Sequence, residues 1–264
     1  MPLLIRALWQ YRYFIASSVV TDLRMRFDRS LLGALWGVLN PLAQVAIFAL
    51  ILSNVLQAKI GNVDSQYSFA LYLCAGLACW SLFNDIVSRS LTVFIVNADL
   101  IKKAAFPRIV LLANAIGACL LDNLFLLAAV LALFLLVGFS LTASLLILPI
   151  LLALTVALAT GLGLLLGVLN TFIRDVGQVA PILLQVLFWF TPIVYPISIV
   201  PDKLRDLMVV NPIYPLVSAY QDILVFQAWP PLTPLLSSLL ASIALLSLGG
   251  LIYFKAADDM ADVL

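Results

Sequence analysis

The chain has 264 residues, 64% of them hydrophobic and 10% charged, with a net charge of +1 and a mean hydropathy of +1.17. Soluble domains are nearer half apolar, and a near-neutral chain carries no electrostatic footprint for nucleic acid. Histidine is absent and every acidic residue is aspartate, which excludes His-based acid–base chemistry and any Ser/His or Cys/His constellation.

The few charges cluster, and the stretches Arg29 to Lys59, Asp122 to Arg174 and Asp222 to Lys255 contain none in between. A bilayer accepts such runs, because a spanning helix needs about 20 mostly apolar residues. The expected fold is therefore an all-α membrane protein. It has six transmembrane helices, an N-terminal amphipathic interface helix and short re-entrant external helices before the last span. The expected domains are the interface helix, 1–30, and a six-span unit, 31–264.

In chain order, residues 3–29 form the amphipathic helix. Arg6, Gln10, Tyr13, Ser17, Thr21, Arg24 and Asp28 recur every three or four residues, with Leu4, Leu8, Tyr11, Ile15 and Val19 opposite. Such a helix suits the membrane interface. The run at 13–20 is closely followed by Arg24, Arg26 and Arg29 and has no convincing small-x-small site, so a cleavable signal peptide is not expected. Spans are expected at about 31–57 (with Asn40-Pro41), 67–90, 109–138, 143–169, 177–196 and 231–254. A tight turn at Gly138-Phe139-Ser140 joins the third and fourth, and Pro181, Pro192 and Pro196 break the fifth. Asp85 and Arg89, four apart, can pair on one face near the end of span two. Residues 197–229 are too polar to span and too apolar for an ordinary loop, and suit two short helices dipping into the interface. With both termini in the cytoplasm, eleven of the 14 Lys and Arg lie inside, and Lys59, Lys203 and Arg205 lie outside.

Five features bear on chemistry. No GxxxxGK[ST] loop occurs, so the chain has no such route to ATP. Asp122 is the one acid placed deep in a span. It is either a polar contact satisfied by Asn123 and Asn114, or a transport group. Asp258-Asp259-Met260-Ala261-Asp262 has the DDxxD spacing of magnesium–diphosphate sites, but sits at the tail without a second acidic cluster and reads as solvated. Cys74, Cys79 and Cys119 read as buried apolar residues, without a CxxC pair. On the outer side, Tyr67, Phe69 and Tyr72 begin span two, while Phe188, Trp189, Phe190 and Tyr195 end span five. They form either a lipid-facing aromatic belt or flat apolar faces with polar tips that can meet a passing ligand.

Several stretches together resemble a known family. Ser30-Leu-Leu-Gly-Ala-Leu-Trp36 with Asn40-Pro41 resembles the start of the first span in ABC-2-type permeases that export polysaccharides. Leu100-Ile-Lys-Lys103 with Phe106-Pro-Arg108 resembles their first cytoplasmic coupling segment, and Arg174-Asp175 the charged pair of the second. Thr191-Pro192, Tyr195-Pro196 and Asn211-Pro212 resemble the end of span five and the external segment after it. The order holds over nearly the whole chain and is most similar to the Wzm-type O-antigen exporters, with teichoic acid and capsule exporters near relatives.

The resemblance implies a half-transporter of the bacterial inner membrane. Its partners would be a second copy of itself and two copies of a cytosolic ABC ATPase. That ATPase, not this chain, would hold ATP and magnesium. The cargo would be a polyprenyl-diphosphate-linked glycan. Residues 3–29, 97–108 and 171–178 would meet the ATPase, through Asp99, Lys102, Lys103, Arg108, Arg174 and Asp175. Tyr67, Phe69, Tyr72, Phe188, Trp189, Tyr195 and Asp122 are candidates for the substrate path. The competing classes are an ion-coupled secondary transporter, which needs more midplane ionisable groups, and a membrane enzyme on lipid diphosphates, which needs an acidic cluster at a span end.

Overall fold

In the computed structural model of the chain, the described residues are 9–29, 36, 39, 42, 43, 46, 47, 68–103, 107–136, 138, 142–208, 210–257 and 259–263. Most of the expected first span and the loop after it lie outside them. The described residues are helical with no strand among them. Helix α1 is Arg12–Arg29, α2 Ser68–Val96, α3 Ala98–Lys103 and α4 Arg108–Leu136. A 3₁₀ turn, Ala143–Ile147, leads into α5, Leu148–Phe172, followed by α6, Val176–Trp189. After the 3₁₀ turn Ile197–Ile199 come α7, Asp202–Met208, and α8, Tyr214–Leu224. Helix α9 is Leu232–Ala256 and α10 is Met260–Val263.

Four segments are long and apolar enough to cross a bilayer: Phe69–Val96, Arg108–Leu136, Ala143–Phe172 and Leu232–Ala256. These are the expected second, third, fourth and sixth spans, with ends shifted by a few residues. The expected fifth span differs. Its helix has 14 residues and so rises only about 21 Å, short of the ~30 Å hydrocarbon core. Pro181 is tolerated inside it. The chain leaves the helix at Phe190, and Pro192 and Pro196 sit in the turns beyond, where no helical N–H is required. The polar stretch after it forms the two short helices expected there, α7 and α8. Gly138 adopts φ +91°, the left-handed conformation that the turn between α4 and α5 needs.

Helix α2 occupies the middle. It packs against α4, α5 and α8, and side chains from every face of it, including Leu73, Cys79, Phe83 and Val87, are buried. A helix apolar on all sides is stable where neighbours surround it. By contrast α9 touches mainly α5 and leaves Leu236, Leu240, Ile243 and Leu251 exposed, the pattern of a lipid-facing helix.

The seams around α5 depend on small residues. A Cβ on Gly163 would lie 2.7 Å from Ser90 Cβ of α2, and one on Gly161 would lie 2.7 Å from the Leu246 backbone nitrogen of α9. Gly161 and Gly163 therefore admit α9 and α2 respectively, at opposite sides of one helix. Close backbone approach through small residues is how spans associate where lipid removes the hydrophobic drive. Amide side chains add cross-helix bonds: Asn123 Nδ2 donates to Ala78 O, and Asn170 Nδ2 donates to Leu91 O, both at 2.8 Å.

Helix α1 uses its expected apolar side to pack on α4. Val19 is buried and meets Gly117, while Tyr11 and Ile15 pack against the buried cluster that includes Ile109 and Leu112 of α4. Arg12 lies over the rings of Trp9 and Tyr13, 4.7 and 4.5 Å from their centroids.

Candidate functional site

The fold gathers charge at one end. Helix α2 ends there, α3 and the start of α4 follow, α5 returns to it, and α9 finishes there with Lys255 in its last turn. Asp99 lies in the first turn of α3, Lys102 is exposed, and Ile101 is buried beside Tyr253 of α9 and Met260 of α10. The backbone of Lys103 ends α3, and Arg108 begins α4 half-buried. Arg174 and Asp175 are both exposed on the turn between α5 and α6. That turn is braced by the Asn170 bond to α2, and Gly177 leaves no room for a Cβ against Asn170 Oδ1. The two charged segments thus share one face, each anchored to α2. The tail is not simply solvated: Asp259 is exposed, but Met260 between the aspartates is fully buried.

Asp122 meets a cation. Arg89 Nη2 donates to Asp122 Oδ2 at 2.8 Å, joining α2 to α4, with side chains 36% and 11% exposed respectively. The helices are antiparallel and side chains lean toward a helix's N-terminus, so Arg89 leans away from the charged end while Asp122 leans toward it. The partner expected from sequence, Asn123, turns instead to the Ala78 carbonyl. Asn114 Oδ1 is buried without a hydrogen-bond partner among the described residues.

At the opposite end lie the aromatic residues. Tyr67 falls outside the described residues. Phe69 and Tyr72 are buried, and Tyr72 Oη donates to Pro192 O at 3.1 Å, with Tyr195 O further off at 3.4 Å. Phe188 is half-buried and packs edge-on against Trp80 at 5.4 Å and Trp189 at 5.5 Å. Trp189 is 52% exposed, and Tyr195 Oη donates to its carbonyl at 2.5 Å. The structure therefore joins Tyr72, Trp189 and Tyr195 around one turn, while Phe69 belongs to the core.

The Thr191-Pro192 and Asn211-Pro212 pairs lock that turn to α8 and α9. Asn211 Nδ2 donates to Thr191 Oγ1 at 2.9 Å, and Thr191 Oγ1 donates to Leu187 O at 2.7 Å. Gln221 Nε2 and Tyr72 Oη both donate to the Pro192 carbonyl, and Ser238 Oγ of α9 donates to Pro212 O at 2.7 Å. The Pro192 and Pro212 carbonyls lie in turns outside the helical ladders, and amide, phenol and hydroxyl groups satisfy them.

Beside this network is a half-open cavity of about 240 Å³. Tyr72, Pro192 and Gln221 line its inner part, Tyr214, Ser218 and Asp222 of α8 one wall, and Ile197, Ser198 and Phe226 its rim. Burial pushes the Asp222 carboxyl up to about 6 from the usual 3.8. The sequence reading missed this site. Its signal was the four-residue spacing of Tyr214, Ser218 and Asp222, which puts them on one side of α8, with Phe226 just beyond its end.

Residues 15–225 match the family described as ABC-2 type transporter. The chain belongs to that family. It is 28% identical to the O-antigen export system permease protein RfbA of Myxococcus xanthus over 98% of both chains. It is 31% identical to a Klebsiella pneumoniae protein of the same name over 76% of each. It is 28% identical to the polysialic acid transport protein KpsM of Escherichia coli over 73% of each. The ABC-2 match takes in both charged segments, the Arg89–Asp122 pair and all of α8, and stops at Val225, before α9.

Proposed function

We propose that this chain is the membrane-spanning permease subunit of an ATP-driven exporter that moves a lipid-linked, O-antigen-like polysaccharide across the bacterial inner membrane. The observation that carries the reading is the end-to-end similarity to an O-antigen export permease, over 98% of both chains. The shared end of Asp99, Lys102, Arg108, Arg174 and Asp175 supports a docking face for a separate ATPase, because both charged segments are anchored to the same central helix.

In this reading two copies of the chain and two of the ATPase form the exporter. Each chain has six spans, adding the segment at about 31–57 and the short α6 with its following turn, and both termini are cytoplasmic. The ATPase binds ATP with magnesium, since the chain has no phosphate-cradling loop. Hydrolysis moves α3 and the α5–α6 turn. Their direct anchors on α2, through Ile101 packing and the Asn170 bond, convert that motion into a shift of α2 and α5. A long polymer passes progressively through the path so opened, trailing its polyprenyl diphosphate end.

The test is a strain lacking the chain. Surface polysaccharide is expected to disappear while lipid-linked polymer accumulates on the cytoplasmic side. Unchanged surface polysaccharide overturns the reading. A second reading, export of a capsule-type polymer, is favoured by the similarity to KpsM; the polymer lost in that strain separates the two.

A further inference from the structure

We infer that the cavity between α8 and the turn at Pro192 is a subsite for one uncharged sugar ring of the polymer being exported. The inference rests on the export reading above and names a place on the chain where the glycan is held.

One wall of the cavity belongs to α8. Leu216, Val217, Ala219, Tyr220, Ile223 and Leu224 are buried, so neighbours enclose this helix on nearly every side. Only the Tyr214–Ser218–Asp222 side stays half-open, and it faces the cavity. A phenol, a hydroxyl and a carboxylate on the one free side of an otherwise enclosed helix are not needed for packing. The Asp222 carboxylate has no hydrogen bond or ion pair among the described residues. Arg205, the basic residue that senses Tyr214, donates to the Ile197 and Val200 carbonyls and pairs with Asp202 at 3.5 Å. Half-burying an unpaired carboxylate works against stability, and a ligand that donates hydrogen bonds to it offsets that loss.

The ligand's chemistry follows from these groups. A carboxylate accepts hydrogen bonds only, which suits adjacent sugar hydroxyls. The faces of Tyr214 and Phe226 suit the apolar C–H face of a ring. At about 240 Å³ the cavity falls below the ~300 Å³ lower end for drug-sized ligands. One ring fits that scale, with its neighbours in the polymer leaving through the open side. A diphosphate or a carboxylated sugar would face the negative charge of Asp222, so the site takes a neutral ring rather than the carrier. A metal ion is a poor fit, since Asp222 is the one carboxylate in the lining and hard cations gather several oxygen ligands.

The experiment uses cells carrying the whole exporter, with Ser218→Cys as a small reporter. The natural cysteines 74, 79 and 119 are buried and give a low background. Cells are depleted of ATP to stall polymer in transit and treated with a membrane-impermeant maleimide. The comparison strain cannot make the polymer. Labelling at position 218 is expected to fall about tenfold when polymer is present, and adding Asp222→Asn is expected to restore most of the labelling. Loss of one charge-assisted hydrogen bond corresponds to about that factor. Equal labelling with and without polymer, or protection that persists in the polymer-free strain, overturns the subsite. Protection unaffected by Asp222→Asn overturns the role of that carboxylate. These failures are separate from failure of the export reading, which would show as unchanged surface polysaccharide in the deletion strain.

Discussion

Removing the Arg89–Asp122 pair one side at a time, then together, separates a structural role from a transport role. The two groups are 2.8 Å apart, with Asp122 11% exposed and Arg89 36%. Taking away one partner of a buried ion pair typically destabilises by about 3–5 kcal/mol, because a charge is left uncompensated. Arg89 keeps a third of its surface open, so solvent screening discounts that figure, and Asp122→Ala is expected to lose about 2–3 kcal/mol. At roughly 2–4 °C per kcal/mol for a chain of this order, the apparent Tm falls by about 4–12 °C. Asp122→Asn keeps a carbonyl acceptor for the guanidinium and loses about half as much. The double variant Arg89→Met/Asp122→Leu fills the same space without charge and is expected within about 1 kcal/mol of the parent, since apolar replacement of a buried pair is often neutral. The assay is thermal unfolding of the complex in nanodiscs, with surface glycan measured in parallel. Recovery of both stability and export in the double variant is the expected result. A double variant that is stable and abundant yet exports nothing refutes the reasoning and makes the charge itself part of transport.

The other predictions concern the seams and the two ends. Gly161→Ala is expected to destabilise the complex by about 1–3 kcal/mol, as overpacking does, because its Cβ would meet the Leu246 backbone at 2.7 Å; unfolding midpoints check this. Arg174→Glu reverses an exposed charge, so membrane insertion stays normal while polymer-stimulated ATP hydrolysis of the assembled exporter drops, measured as phosphate release. Tyr72→Ala removes a buried phenol that bonds Pro192 and is expected to lower protein level, whereas Trp189→Ala at a half-exposed position leaves it unchanged; immunoblotting of membranes distinguishes them. Asp222 gives a pH signature. Its folded value, about 6, lies above the unfolded 3.8, so its contribution to stability is full below about 3.8 and is lost as pH rises through 6. Asp222→Asn therefore raises the Tm at pH 7.5 and leaves it nearly unchanged at pH 4, a gain in stability expected to accompany weaker glycan protection.

Helix positions were legible in the sequence because charge is so scarce that each cluster marks a helix end. Asp85 and Arg89 aside, the long apolar runs left little choice, and α2, α4, α5 and α9 fall within a few residues of the expected spans. What the pattern did not disclose was partnership across helices. Arg89 has a candidate partner one turn away and another 33 positions on, and it bonds the distant Asp122; local spacing favours the first, whereas the second depends on how two antiparallel helices are set against each other. The aromatic group divides for a similar reason. Phe69 and Tyr72 lie on a helix surrounded on all sides, so both are buried by their neighbours, and of the two Tyr72 alone bonds the turn that carries Trp189 and Tyr195. The cavity was hidden for a third reason. Two short helices were expected within residues 197–229, but not which eleven residues form α8, whose buried residues hold a short polar row in place. In a chain this apolar, the polar side chains that are not consumed in tying proline and helix carbonyls together are few, and Asp222, Ser218 and Tyr214 are three of them, gathered at the end of the molecule opposite the charged face.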